Sequence, residues 1–95
     1  MNPEATGSSI LLVEDNRDIA EMVVEFLERK GYAVDYAGDG VTGLHLAVTN
    51  PYDVIVLDLG LPKLPGTAVC ETIRSWSAVP IIVLSVRDTE RDKIA

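Results

Sequence analysis

The chain is poorest in the features that would tie it to a wall, a membrane or a nucleic acid. With one cysteine, Cys70, it cannot close an internal disulfide, and that thiol reads as a small hydrophobe on a helix rather than a redox group. Its aliphatic runs are four residues long or little more, against the roughly 20 a membrane-spanning helix needs. No secretory apolar stretch follows Met1, where Asn2 to Ser9 is polar, so a reducing cytoplasm is the expected compartment. Lys and Arg number 8 against 15 Asp and Glu, for a net charge of −7, and no basic block occurs. This segment is therefore not expected to touch nucleic acid or an anionic membrane, and any DNA contact must come from elsewhere. The single histidine, His45, has no second ligand at metal spacing and reads as a solvated surface residue.

What remains is a folded chain, 47% apolar and 24% charged, sized for one domain over residues 1–95: a flexible tail over 1–9 and a βα core over 10–95. It is organised around Val54-Ile55-Val56-Leu57-Asp58-Leu59-Gly60-Leu61-Pro62, four apolar residues that run into one aspartate and then a turn. A short run so rich in β-branched residues reads as a strand buried on both faces of a parallel sheet. Ile10 to Val13 ends likewise on Glu14-Asp15, and Ile81 to Leu84 ends on Ser85. In open α/β sheets the ligand crevice lies outside the carboxyl ends of the strands. Glu14, Asp15, Asp58 and Ser85 are expected to meet there.

Helices alternate with these strands. Asn16 can cap one with apolar residues Ile19, Met22, Val23, Phe26 and Leu27, closed by Arg29, Lys30 and a left-handed Gly31. Tyr32 to Ala37 reads as a strand whose Asp35 suits a sheet edge. After the turn Gly38-Asp39-Gly40, a second helix presents Val41, Leu44 and Val48 and ends near Asn50-Pro51. A third carries Val69, Ile73 and Trp76 toward the sheet, and Arg87 to Ala95 reads as the first turns of a fourth. The order β-α-β-α-β-α-β-α, with crossover-length connections, predicts parallel strands. The fourth strand, without charge, is not written as an edge.

Three carboxylates brought that close repel one another unless a cation sits among them. Mg²⁺ suits best, held by a few carboxylate oxygens, with the Gly60 carbonyl as a further ligand. Asp58 is then placed to attack a phosphoryl group in line, with Ser85 donating a hydroxyl to it. The added charge makes a switch rather than a turnover enzyme.

At this point the residues resemble the response-regulator receiver domain of two-component signalling, over nearly the whole chain. Leu12-Val13-Glu14-Asp15-Asn16 is similar to its acidic-pair motif, Asp53 to Pro62 with Gly66 to its phosphoacceptor motif, and Pro80 to Ser85 to its switch-hydroxyl strand; Asp39-Gly40 and Tyr52-Asp53 match its scaffold. The resemblance implies a flavodoxin-like (CheY-like) doubly wound parallel sheet of order 2-1-3-4-5, with the fifth strand and helix missing here. It implies Asp58 as phosphoacceptor, Glu14, Asp15, Asp58 and Gly60 as Mg²⁺ ligands, and Ser85 as switch hydroxyl. Its implied partner is a sensor histidine kinase. The Asp-Leu-Gly-Leu-Pro wording is similar to that of regulators with a winged-helix output, typified by OmpR and PhoB, so DNA binding would belong to a missing C-terminal domain.

The pattern departs from the family in places. The family's lysine and aromatic switch residue near the fifth strand are not in these residues, Lys63 reads as a solvated surface lysine, and Val86 stands where alanine is usual. These residues alone are expected to accumulate phosphoryl slowly or not at all, and a longer parent chain normally. The uncovered sheet face and the unpaired fourth strand are candidate surfaces for homo-oligomerisation. Rival readings stay open: a solvated helix-capping pair for Glu14-Asp15, a plain turn hydroxyl for Ser85, and a pseudo-receiver that works only as an oligomerising interaction module. A haloacid-dehalogenase phosphatase would need an acid where Gly60 stands, and a flavodoxin-like flavin site would be repelled by Glu14-Asp15.

Overall fold

A computed structural model describes residues 8–58 and 66–84. Along the chain run β1 (Ser9–Val13), α1 (Arg17–Arg29), β2 (Ala33–Ala37), α2 (Gly40–Thr49), β3 (Val54–Asp58), α3 (Gly66–Arg74) and β4 (Ile81–Leu84). The strands form one sheet of order β2-β1-β3-β4, and every pair is parallel. This is the expected α/β arrangement, with β2 at an edge. β1 starts at Ser9, whose N–H donates to Asp53 Oδ2 at 2.7 Å, so the ordered core reaches into the expected tail.

The unbroken apolar runs have a plain cause in this sheet. Leu11, Val13, Ile55 and Leu57 join Val69 and Ile73 of α3 and Ala47 of α2 in one core, while Ile10, Leu12 and Val56 join Ala20 of α1 in another. Successive residues of β1 and β3 thus face opposite cores, and neither strand has a solvent side on which a polar residue would be at ease. β2 has such a side: Asp35 accepts the Tyr52 hydroxyl at 2.6 Å, tying the edge to the segment before β3.

Helix ends follow their caps. Asn16 Oδ1 accepts from the Ile19 N–H at 3.1 Å, and α1 stops at Gly31, whose φ of 98° a side chain would resist. Asp39 Oδ1 takes the Thr42 N–H at 2.7 Å and so caps α2.

Helix faces differ from the hydrophobic pattern. On α1 the packed residues are Ala20, Val23, Val24 and Leu27, while Met22 is 63% exposed and Phe26 stands outside with Lys30 Nζ 5.3 Å above its ring. The apolar arc is wider than the strip of sheet the helix covers, and its flank is left in solvent. On α2 the large Val41 and Val48 are exposed, and the helix seats through Gly40, Gly43 and Ala47, with Leu44 and Leu46 half-buried. On α3 Val69 and Ile73 are fully buried as expected, but Trp76 lies beyond the helix and is 47% exposed. The Trp76 and Ser77 amides both return to the Ile73 carbonyl, at 3.1 and 2.9 Å, so the helical period ends before the indole.

Cys70 is half-buried against the core and His45 is exposed, both in keeping with expectation. Ile82 and Val83, on opposite faces of β4, are exposed, and among the described residues β4 pairs with β3 alone. The tail over 1–7, the loop over 59–65 with Gly60 and Lys63, and residues 85–95 with Ser85, Val86 and the expected fourth helix lie outside the described residues. No helix among the described residues is long and apolar enough to cross a membrane.

Candidate functional site

β1 and β3 are neighbours, and their register sets Val13 beside Leu57. The next residue of each is an acid, so Glu14 and Asp58 come side by side where both strands end. Glu14 continues the ladder on its other flank, its N–H donating to the Ala37 carbonyl of β2 at 3.0 Å. Its side chain turns back to the start of α1, where Oε2 accepts the Asn16 N–H at 2.9 Å. Asp15 follows, half-buried.

One carboxylate oxygen from each of Glu14, Asp15 and Asp58 lies within 4.8 Å of the other two. Glu14 is 2% exposed and Asp58 4%, so water screens them poorly. Two full charges at 4.8 Å repel by roughly 3 kcal/mol at an effective dielectric of about 20. Burial pushes the Glu14 carboxyl up to about 7, against the pull of the Asn16 N–H; the Asp58 charge, a hydrogen bond to Asp58 and the Asp15 charge push the same way. At neutral pH Glu14 is therefore poised between its neutral and ionised forms. A divalent cation is the other way to neutralise the cluster, and an all-oxygen donor set fits a hard ion. The three acids could hold one.

The field of the acids reaches further than the motifs suggest. The Tyr36 phenol, near the end of β2, is raised by burial, with Arg17 opposing and Glu14, Asp15 and Asp39 adding. Tyr36 thus lies in the field of the acids, with Arg17 and Asp39 near it. Sequence reading did not find them as site residues, although the pairing of Leu12 with Tyr36 places the tyrosine there once β2 is set against β1. A groove of about 430 Å³ runs from Arg17 and Tyr36 along Ala20, Val24 and Glu28 of α1 and includes none of the three clustered acids. Of the expected site residues the structure brings together Glu14, Asp15 and Asp58; Gly60 and Ser85 lie outside the described residues.

Comparison with known proteins agrees with this edge. Residues 10–95 match the response regulator receiver domain family. Response regulator ArlR of Staphylococcus epidermidis is 38% identical over 93% of this chain and 40% of its own length. Transcriptional regulatory protein HprR of Escherichia coli is 39% identical over 90% of this chain and 38% of its own. The chain thus spans about two fifths of the length of these relatives. Among solved structures, a Francisella response regulator receiver domain superposes with a TM-score of 0.81 at 34% identity, covering 93% of this chain and 74% of that one. A structure of histidine kinase ThkA in complex with response regulator protein TrrA matches with a TM-score of 0.77 at 33% identity, over 82% of this chain and 68% of that one. A parallel 2-1-3-4 sheet, three acids at its carboxyl edge and a family match over residues 10–95 converge, and the chain belongs to the response regulator receiver domain family.

Proposed function

We propose that this chain is the phosphoacceptor module of a two-component response regulator, with Asp58 taking a phosphoryl group from a sensor histidine kinase. The observation that carries the reading is the buried Asp58 carboxyl at the end of β3, set against Glu14 and Asp15. An Asp58 oxygen forms the new P–O bond; the donor's P–N bond breaks, its electron pair stays on the imidazole nitrogen, and that nitrogen takes up a proton. The Asp58 carboxylate keeps free lone pairs for this attack beside its hydrogen bond with Glu14.

Glu14, Asp15 and Asp58, with the Gly60 carbonyl, are the residues that would hold Mg²⁺. Bound there, the ion would offset charge on the phosphoryl oxygens. Glu14 would hold the ion as its carboxylate, beside Asp15, and Ser85 would donate its hydroxyl to the phosphoryl group. Asp58 is only 4% exposed, so little bulk water reaches its carboxyl. The product is a change in charge at a loop cluster, which is the work of a switch and not of a turnover enzyme.

The relative named a transcriptional regulatory protein supports a DNA-binding output in the full-length protein, by a part outside these residues, in the cytoplasm. Exposed Ile82 and Val83 support β4 and the sheet face beside it as a surface for a second copy. A monomeric sedimentation profile at high concentration contradicts that contact. The phosphoacceptor reading is tested with acetyl phosphate and Mg²⁺ followed by intact mass. A phosphoryl adduct that needs Mg²⁺ and disappears in Asp58→Asn supports it; an adduct that survives Asp58→Asn overturns it.

A further inference from the structure

α2 lies closer to β1 than a side chain at position 43 would allow. A Cβ built on Gly43 would stand 2.8 Å from Val13 Cγ2 and 3.0 Å from Cγ1. Carbon atoms in good contact sit about 3.5–4.0 Å apart, so helix or strand would have to move. Val13 has little room to yield. It is fully buried, stiff at χ1 as a β-branched residue, and paired with Ala37 on one side and Leu57 on the other. Gly43 does not have the positive φ that Gly31 has, so its service is closeness, at a helix-interior position where glycine is otherwise a poor choice.

Val13 is the residue immediately before the acidic pair. Glu14 hangs from the Ala37 carbonyl; two residues on, Asp39 caps α2, and the Asp39 carbonyl accepts the Gly43 N–H at 3.0 Å. Strand end, corner and helix start therefore close a circuit in which the Gly43 backbone lies directly against the Val13 side chain. We infer that Gly43 is a positioning residue for the acidic cluster: by letting α2 seat on Val13, it fixes where β1 ends and hence where Glu14 and Asp15 stand relative to Asp58. The inference rests on reading the cluster as a Mg²⁺ site.

The test is calorimetric titration of MgCl2 into the wild type, Gly43→Ala, Val13→Ala and the double variant, with circular dichroism to establish folding. Changes just outside a metal's ligands lower affinity by about tenfold or more, and about tenfold weaker binding is expected for Gly43→Ala. The double variant transfers bulk from strand to helix and is expected to return to within about threefold of the wild type, the signature of two residues in contact. Gly43→Ala that is folded, lower in melting temperature and unchanged in Mg²⁺ affinity would mean a packing role only and overturns the inference. If Gly43→Ala does not fold, the double variant decides: folding with recovered affinity upholds the inference, and failure of either overturns it. A folded wild type that binds no Mg²⁺ removes the metal reading itself, an outcome distinct from a wild type that binds while Gly43→Ala binds equally well.

Discussion

The backbone N–H of Asn16 donates to Glu14 Oε2 at 2.9 Å, while the side chain of the same asparagine accepts the Ile19 N–H at 3.1 Å. One residue thus starts α1 and steadies a buried acid. The two services use different atoms and can be separated. Asn16→Ala loses the cap alone and is expected to lower stability by about 1 kcal/mol in urea unfolding. Asn16→Pro loses the cap and the amide together, at a φ of −82° that lies near proline's own. Glu14 should titrate higher in Asn16→Pro than in Asn16→Ala, read from the pH dependence of stability; equal titration would mean the amide does nothing for Glu14.

Glu14 also gives a pH dependence of definite sign. Its carboxyl is raised from an ordinary 4.5 to about 7, so between those values the folded chain holds a proton that the unfolded chain has released. The resulting stabilisation is fully present below pH 4.5 and lost as pH rises through 7, on the order of 3 kcal/mol in all. In Glu14→Gln that loss should vanish, leaving the variant more stable than the wild type at pH 8 without metal. With saturating Mg²⁺ the wild-type slope should reverse, because ionised Glu14 is then the stabilised form. A metal-free wild type whose pH profile matches that of Glu14→Gln would contradict the assignment.

The packing of α3 separates two residues that share one helical stripe in the sequence. Ile73 is fully buried in the core with Leu11, Ile55 and Val69, whereas Trp76 sits beyond the helix end. Ile73→Ala is expected to destabilise by about 2–5 kcal/mol, and Trp76→Ala by less than about 1.5. Chemical denaturation followed by circular dichroism ranks them; equal losses would place the indole in the core after all.

These cases show which parts of the molecule are written locally. β1 and β3 were legible because a strand buried on both faces must be apolar without interruption, and the acids were legible because Glu14 and Asp58 break that rule at the same end of adjacent strands. Asn16 and Gly31 announced α1 by their cap chemistry. Helix faces were harder to read: Met22, Phe26, Val41 and Val48 have the right hydropathy, but the sheet accepts the narrower strips centred on Ala20 and Gly43. Seating depth there depends on side-chain bulk against a specific strand residue, which no window of one helix contains. Tyr36 and Asp39 were missed as neighbours of the cluster for a related reason. Their approach is set by the register of β2 on β1, a relation between distant segments.

If Glu14, Asp15 and Asp58 form one assembled pocket for Mg²⁺, the ion stabilises the folded chain, and titration shows whether it does. Mg²⁺ is added to the purified chain while unfolding is followed by heat and by Trp76 fluorescence; the indole lies with Asn50, Pro51 and Tyr52 by the opposite end of β3, so it reports unfolding rather than contact with the ion. A ligand specific for the folded state at a hundred times its Kd raises stability by about 2.7 kcal/mol. A saturable rise of that order is expected at neutral pH, lost in Asp15→Asn and in Asp58→Asn. A folded wild type whose stability does not respond to Mg²⁺, or a response that survives both substitutions, would contradict such a pocket.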